Sequence, residues 1–187
     1  MKYLIVGLGN IGAEYAFTRH NIGFMVADAL CHNLEGKFVT GRLAQHALLK
    51  YRSKPLVVIK PTTFMNLSGK AVQYWLRHED IPVENMLVLV DDIALPTGQL
   101  RMKKKGGDAG HNGLNDIIQT LGTNEFARLR FGIGDDFPKG RQVDYVLGEW
   151  SRQESDIILP KIDIAVDMIK SFVAIGIERT MTAFNNK

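Results

Sequence analysis

The sequence predicts an α/β fold: a single-domain three-layer arrangement, with a mixed, mainly parallel twisted sheet and helices on both faces. Three observations carry this expectation. Short runs that are apolar throughout, at residues 3–6, 56–59 and 86–90, read as strands buried between two layers. Between them lie stretches of helical period, and alternation of strands with helices covers a sheet on both sides. A short turn at residues 53–55 separates two extended runs, which adds an antiparallel hairpin and makes the sheet mixed.

In order along the chain, the first strand runs into a glycine-bearing loop, and a helix starts near Asn21. Its apolar positions are Ile22, Met25, Val26, Ala29 and Leu30, and Gly36 ends it. Strands follow at residues 37–40, 43–51 and 56–60, then a loop to Asn66 and a helix over 69–77 carrying Ala71, Val72, Trp75 and Leu76. The strand at 86–90 ends in Asp91 and Asp92. Leu100, Met102 and Lys104 alternate with Arg101, Lys103 and Lys105, and Leu129, Phe131 and Ile133 alternate with Arg128 and Arg130. Each pattern predicts a strand with one basic face. A glycine-rich loop at 106–113 leads into a helix that turns Leu114, Ile117, Ile118 and Leu121 inward. Ser151 and Glu154 form a capping box, and the chain beyond is expected to be helical, broken at Pro160 and again near Gly176.

Bulk properties narrow the class. A chain of 187 residues with 45% hydrophobic and 23% charged residues fits one ordinary globular domain. A net charge of +3 is too small to specify a nucleic-acid partner, so only clustering of charge can speak to one. The one cysteine, Cys31, has no internal partner and sits among apolar helix positions, which points to a reducing, cytoplasmic setting. There is no apolar run long enough for a membrane span, no signal-peptide layout and no internal repeat.

The chemistry is expected in residues 7–24, at the end of the first strand, where open α/β sheets form their crevices. Gly7, Gly9 and Gly12 spell G-x-G-x-x-G, the motivation for a competing reading as a dinucleotide-binding oxidoreductase. The context opposes it. No helix begins within the glycine turn to meet a pyrophosphate, and no acidic residue closes the second strand. The loop instead presents Asn10, Tyr15 and His20. The sequence has no G-x-S-x-G elbow and no H-E-x-x-H, and histidines 20, 32, 46, 78 and 111 show no metal-ligand spacing. These absences favour water as nucleophile with a histidine base, without metal or cofactor. Each residue also has a plainer reading: His20 as a surface or capping residue, Asp91 as a turn cap, Asn112 before Gly113 as a turn former, Lys103 with its neighbours as a solvated strand face. A non-catalytic RNA-binding protein using the two basic strands is the third class.

The stretch Lys-Pro-Thr-Thr-Phe-Met-Asn-Leu-Ser-Gly at 60–69 resembles the bacterial peptidyl-tRNA hydrolase family. Thr-Arg-His-Asn-Ile-Gly at 18–23, Asp91-Asp92 followed by Leu-Pro-Thr-Gly at 95–98, and Gly-His-Asn-Gly-Leu at 110–114 match in order and spacing. The resemblance implies one catalytic domain over 1–187, usually monomeric, that hydrolyses the ester between a peptide and the 3′-terminal ribose of tRNA. It implies His20 as general base, Asp91 as its orienting carboxylate and Asn10 beside the scissile bond. By the same resemblance Asn66 and Asn112 bind the peptide backbone and the 3′ end, while Tyr15, Phe64 and His111 line the cleft. Lys103 and Arg130, with Lys139, would hold a terminal phosphate of the acceptor stem that carries the 3′ CCA end. Asn10 and Asn66 both remain candidates for the oxyanion donor. Ile11, Ala94 and Asp108 depart from the family pattern, in which proline, an acidic residue and a small or neutral residue are usual.

Overall fold

β1 (Tyr3–Gly7) is buried along its whole length, and its alternation decides the layering of the molecule. Tyr3 and Ile5 point to one face, Leu4 and Val6 to the other, and each set enters its own apolar core. The structure, a computed structural model, describes residues 1–185; the last two positions of the domain expected over 1–187 lie outside them. After β1 come two 3-10 turns (Ala13–Tyr15 and Arg19–Asn21), α1 (Ile22–Asn33), β2 (Val39–Thr40), β3 (Ala44–Tyr51), β4 (Lys54–Pro61) and α2 (Ser68–His78). β5 (Met86–Asp92), β6 (Leu100–Lys103), α3 (Asn112–Leu121), β7 (Ala127–Gly132), α4 (Gln142–Val146), α5 (Arg152–Ile175) and α6 (Ile177–Phe184) complete the chain.

The seven strands form one sheet in the order β2-β3-β4-β1-β5-β7-β6. Its four central strands, β4, β1, β5 and β7, run parallel, and the flanking pairs are antiparallel. This is the mixed sheet the sequence predicts. One core packs α1 and α5 on the face that holds Ile5, Leu87 and Leu129; the other packs α2 and α3 on the face that holds Val6, Val88 and Val90. Consecutive strands leave β1 on opposite sides, toward β4 and then β5, so a crevice opens beyond the C-terminal end of β1.

Four local expectations are corrected. The hairpin turn is Arg52–Ser53, both with positive φ (48° and 65°), rather than 53–55, and Pro55 already pairs with Lys50 inside β4. The strand expected over 37–40 reduces to Val39–Thr40. Pro160 does not break α5, which continues for 24 residues around it. Proline removes one helical hydrogen bond, and here the buried neighbours Ile158 and Ile162 hold the helix to the core on either side. Finally, the second basic strand face does not exist as such. Arg128 on β7 is only 1% exposed and uses its guanidinium on the carbonyl oxygens of Gly106, Gly107, Asn124 and Phe126, at 2.7 to 3.3 Å.

Candidate active site

The crevice at the end of β1 collects residues from four connections. Asn10 follows β1, Met65 and Asn66 follow β4, Asp91 ends β5, and His111 begins α3. Glycines let the layers approach there. A Cβ on Gly7 would lie 2.5 Å from the Gly23 carbonyl oxygen, and one on Gly23 would lie 2.6 Å from the backbone of Leu8 and of Leu89. Gly9 likewise faces the Phe24 ring. Two of the three glycines of the G-x-G-x-x-G pattern therefore seat the N-terminus of α1 against the sheet, and the loop contains 3-10 turns where a phosphate-binding helix would start.

His20 lies in the 3-10 turn just before α1 and is 8% exposed. Its Nδ1 is 2.9 Å from both carboxylate oxygens of Asp91. An ionised carboxylate only accepts, so Nδ1 carries the ring proton and Nε2 the lone pair. Nε2 has no protein partner among the described residues. His111 meets the same carboxylate from the other side, with Nε2 donating to Oδ1 at 2.8 Å. Its Nδ1 accepts the backbone N–H of Leu114 at 3.1 Å, capping α3 and leaving the proton on Nε2. Burial would push the Asp91 carboxyl up, but the charges and hydrogen bonds of His20 and His111 outweigh it and hold the group well below the usual carboxylate range.

Asn10 is fixed on three sides. Its N–H donates to Asn21 Oδ1 at 2.8 Å, its carbonyl accepts from Asn21 Nδ2 at 2.9 Å, and its Oδ1 accepts the Met65 N–H at 2.9 Å. Oδ1 being committed, Nδ2 is the atom left to meet a ligand. Asn21, whose amide holds Asn10 by its own backbone, is not among the site residues expected from the sequence; its place in the motif at 18–23, between a histidine and a helix start, is the signal that could have found it. Asn66 and Asn112 are exposed, and no hydrogen bond ties either side chain among the described residues. Asn112 lines the cavity at His20 with His111, whereas Phe64, 64% exposed, and Tyr15, half-buried in the first 3-10 turn, are not among its lining residues.

A second cavity, of about 300 Å³, adjoins Asp91 and Asp92 and is lined by Lys103, Gly106, Gly107, Arg128 and Arg130. Lys103 and Arg130 thus share one space, and Asp92 takes a 3.0 Å ion pair from Arg130. Burial, and then the neighbouring charge of Arg130, push the Arg128 guanidinium down to about 10. Lys139 is not in this space; it borders an open depression beside Phe137 and Tyr145.

His20, Asp91 and His111 could in principle hold a metal, since their ligand atoms lie within 4.8 Å of one another, a convergence that sequence spacing does not reveal. His20 Nδ1 and His111 Nε2 donate their protons to Asp91, and the remaining nitrogen of His111 is committed to Leu114. No helix among the described residues is long and apolar enough to cross a membrane.

Comparison with known proteins agrees with this geometry. The peptidyl-tRNA hydrolase family model matches residues 4–187. The chain is 56% identical over 187 residues to the peptidyl-tRNA hydrolase of Parabacteroides distasonis, covering 100% of both chains. It is 53% identical over 185 residues to that of Porphyromonas gingivalis, covering 99% of this chain and 100% of the relative. The crystal structure of the Acinetobacter baumannii peptidyl-tRNA hydrolase superposes with a TM-score of 0.93 at 34% identity, over 98% of this chain and 94% of that one. The chain belongs to the peptidyl-tRNA hydrolase family.

Proposed function

We propose that this protein hydrolyses the ester joining a peptide to the 3′-terminal ribose of tRNA, with His20 as general base. The observation that carries the reading is the His20 to Asp91 contact in a crevice at the ends of the central strands, in a chain of this family. Nε2 takes a proton from a water as that water attacks the ester carbonyl, and Asp91 stabilises the imidazolium that forms. The imidazolium then returns the proton to the departing ribose oxygen. Asn10 Nδ2, locked in orientation by Met65 and Asn21, donates to the substrate beside the scissile bond and is favoured over the untethered Asn66 as the oxyanion donor.

The exposed amides of Asn66 and Asn112 contact the peptide backbone and the CCA end, with Phe64 and Tyr15 beyond the cavity at His20. His111 acts on Asp91 rather than on substrate. Lys103 and Arg130 take a phosphate of the acceptor stem. The placement of Lys139 gives it at most an outer position on the same RNA. Residues 1–187 act as one catalytic domain, as a monomer, and the buried, unpaired Cys31 suits a cytoplasmic setting.

Single-turnover deacylation of an N-blocked aminoacyl-tRNA, beside the free-amine form, tests the reading. Rapid release from the blocked substrate only is expected. His20→Ala should slow it by roughly 10² to 10⁴ with tRNA binding retained. Equal rates in the variant would place the base elsewhere; binding without turnover by the wild type would leave a non-catalytic RNA-binding protein.

A further inference from the structure

One wall of the cavity at His20 is built by none of the groups discussed so far. Gln142, Val143 and Val146 of α4 form it. Yet α4 has five residues, none of them buried, and a helix that short does not stand by its own hydrogen bonds. Tyr145 and Val146 pack partly buried against the core and the Tyr145 hydroxyl donates to the Ile133 carbonyl; the remaining polar attachment comes from the residue next to His20. The Arg19 guanidinium makes a two-pronged pair with Glu154, Nε to Oε2 at 3.0 Å and Nη2 to Oε1 at 2.7 Å. Its Nη1 donates to the carbonyl of Tyr145 in α4 at 2.9 Å, and the same guanidinium lies 4.1 Å over the Tyr145 ring. The Arg19 backbone N–H adds a bond to the Gly148 carbonyl at 3.0 Å.

The contacts are mutually reinforcing. Glu154 also closes the capping box of α5 with Ser151, so the carboxylate that receives Arg19 is itself held in place. The pair is mostly buried, with side chains 13% and 17% exposed, which leaves it less screened by salt than a surface pair. Hydrogen bonds that Arg19 donates to the Glu154 carboxylate raise the Arg19 pKa against the opposing effect of burial, and burial of Glu154 is in turn outweighed by Arg19 and Ser151, which hold that carboxyl low. Both shifts favour the ionised forms of the pair. The planar fork of arginine is what allows one side chain to serve the carboxylate, the carbonyl and the ring together.

We infer that Arg19 is a positioning residue that fastens α4 across the cavity at His20, tying the wall that encloses the reacting ester to the turn that carries the base. Because wall and base are joined through adjacent residues, a shift in α4 and a shift in His20 are coupled. The inference rests on the peptidyl-tRNA hydrolysis proposed above. Its role in turnover is to keep the attacking water and the ester in one enclosed geometry, where a displacement of about 1 Å can cost roughly 10²-fold in rate.

The test compares Arg19→Met, Arg19→Lys and Glu154→Gln by single-turnover deacylation and by amide hydrogen exchange in residues 141–148. Glutamine serves the capping box as glutamate does, so Glu154→Gln weakens the pair while preserving the cap of α5, and it remains informative if Arg19→Met fails to fold. Faster exchange in 141–148 is expected in Arg19→Met and Glu154→Gln, with the deacylation rate lowered by about tenfold in Arg19→Met, less in Glu154→Gln, and partly restored in Arg19→Lys. Faster exchange at an unchanged rate would overturn the inference, as would a lowered rate with α4 exchanging as in the wild type. Absence of turnover in the wild type would instead strike the proposed activity, while the exchange measurement would still report whether Arg19 holds α4.

Discussion

His20 and His111 bond the same carboxylate through opposite ring nitrogens, and that difference separates a base from a brace. His20 gives Nδ1 to Asp91 and keeps a lone pair on Nε2 free. His111 gives Nε2 to Asp91 and has its other nitrogen occupied by the Leu114 N–H. Only the first has an atom left with which to accept a proton from water. The second has none, so it orients Asp91 and, through the cap, joins α3 to the site. Two residues of one type, both buried, thus differ in the nitrogen they leave free because one sits in a turn before a helix and the other is the N-cap of one.

The comparison breaks most directly by removing each ring. Removal of His20 takes away proton transfer and should cost the 10² to 10⁴ given above. His111→Ala removes one hydrogen bond to a charged group, worth about 1.5 kcal/mol at the lower end of such bonds, or roughly tenfold in kcat. It also uncaps α3, lowering stability by about 0.5 to 2 kcal/mol. Steady-state kinetics beside thermal unfolding would check both. A His111 variant as slow as the His20 variant, yet normally stable, would show that His111 has chemistry of its own.

The sequence made the layers legible and half of the site. Apolar runs and helical periods locate the central strands and α1 to α3 because burial on both sides of a sheet imposes an unmistakable composition. His20 and Asp91 were nameable through the motifs around them, but nothing local says that His111, ninety-one positions beyond His20, closes on the same carboxylate. The pairings that matter are set by where the strands end, which is a property of the whole sheet. Period-2 alternation at Arg128 and Arg130 misleads for the same reason. It assigns both arginines to one face and cannot tell that loop carbonyls cover the first.

Acid sensitivity sharpens the account of Asp91. Its folded carboxyl lies below the ordinary value of 3.8, so the unfolded chain binds the proton more readily. The stability this contributes is complete above the ordinary value and is lost as pH falls through the lower folded one. Thermal unfolding followed from pH 5 downward should therefore fall more steeply for the wild type than for Asp91→Asn, which has no such proton to take up. Parallel curves would mean that the histidines do not hold the carboxylate ionised.

The smallest expected effect separates Arg128 from the groups beside it. Arg128 and Lys103 line one cavity, but Arg128 directs its N–H groups to four carbonyls while Lys103 is exposed, with no ion-pair partner among the described residues. If Lys103 meets a phosphate, Lys103→Ala should reduce the slope of log affinity against log salt by about 0.7 to 0.9, so that the loss of tRNA affinity between 50 and 200 mM salt shrinks by roughly threefold. Arg128→Lys should leave that slope alone and lower the unfolding temperature, since an ammonium offers three donors where five are in use. A slope that responds to Arg128 and not to Lys103 would reverse the assignment. The burial of Arg128 would then have to relax when RNA binds, freeing the residue 106–107 backbone that it now holds beside His111.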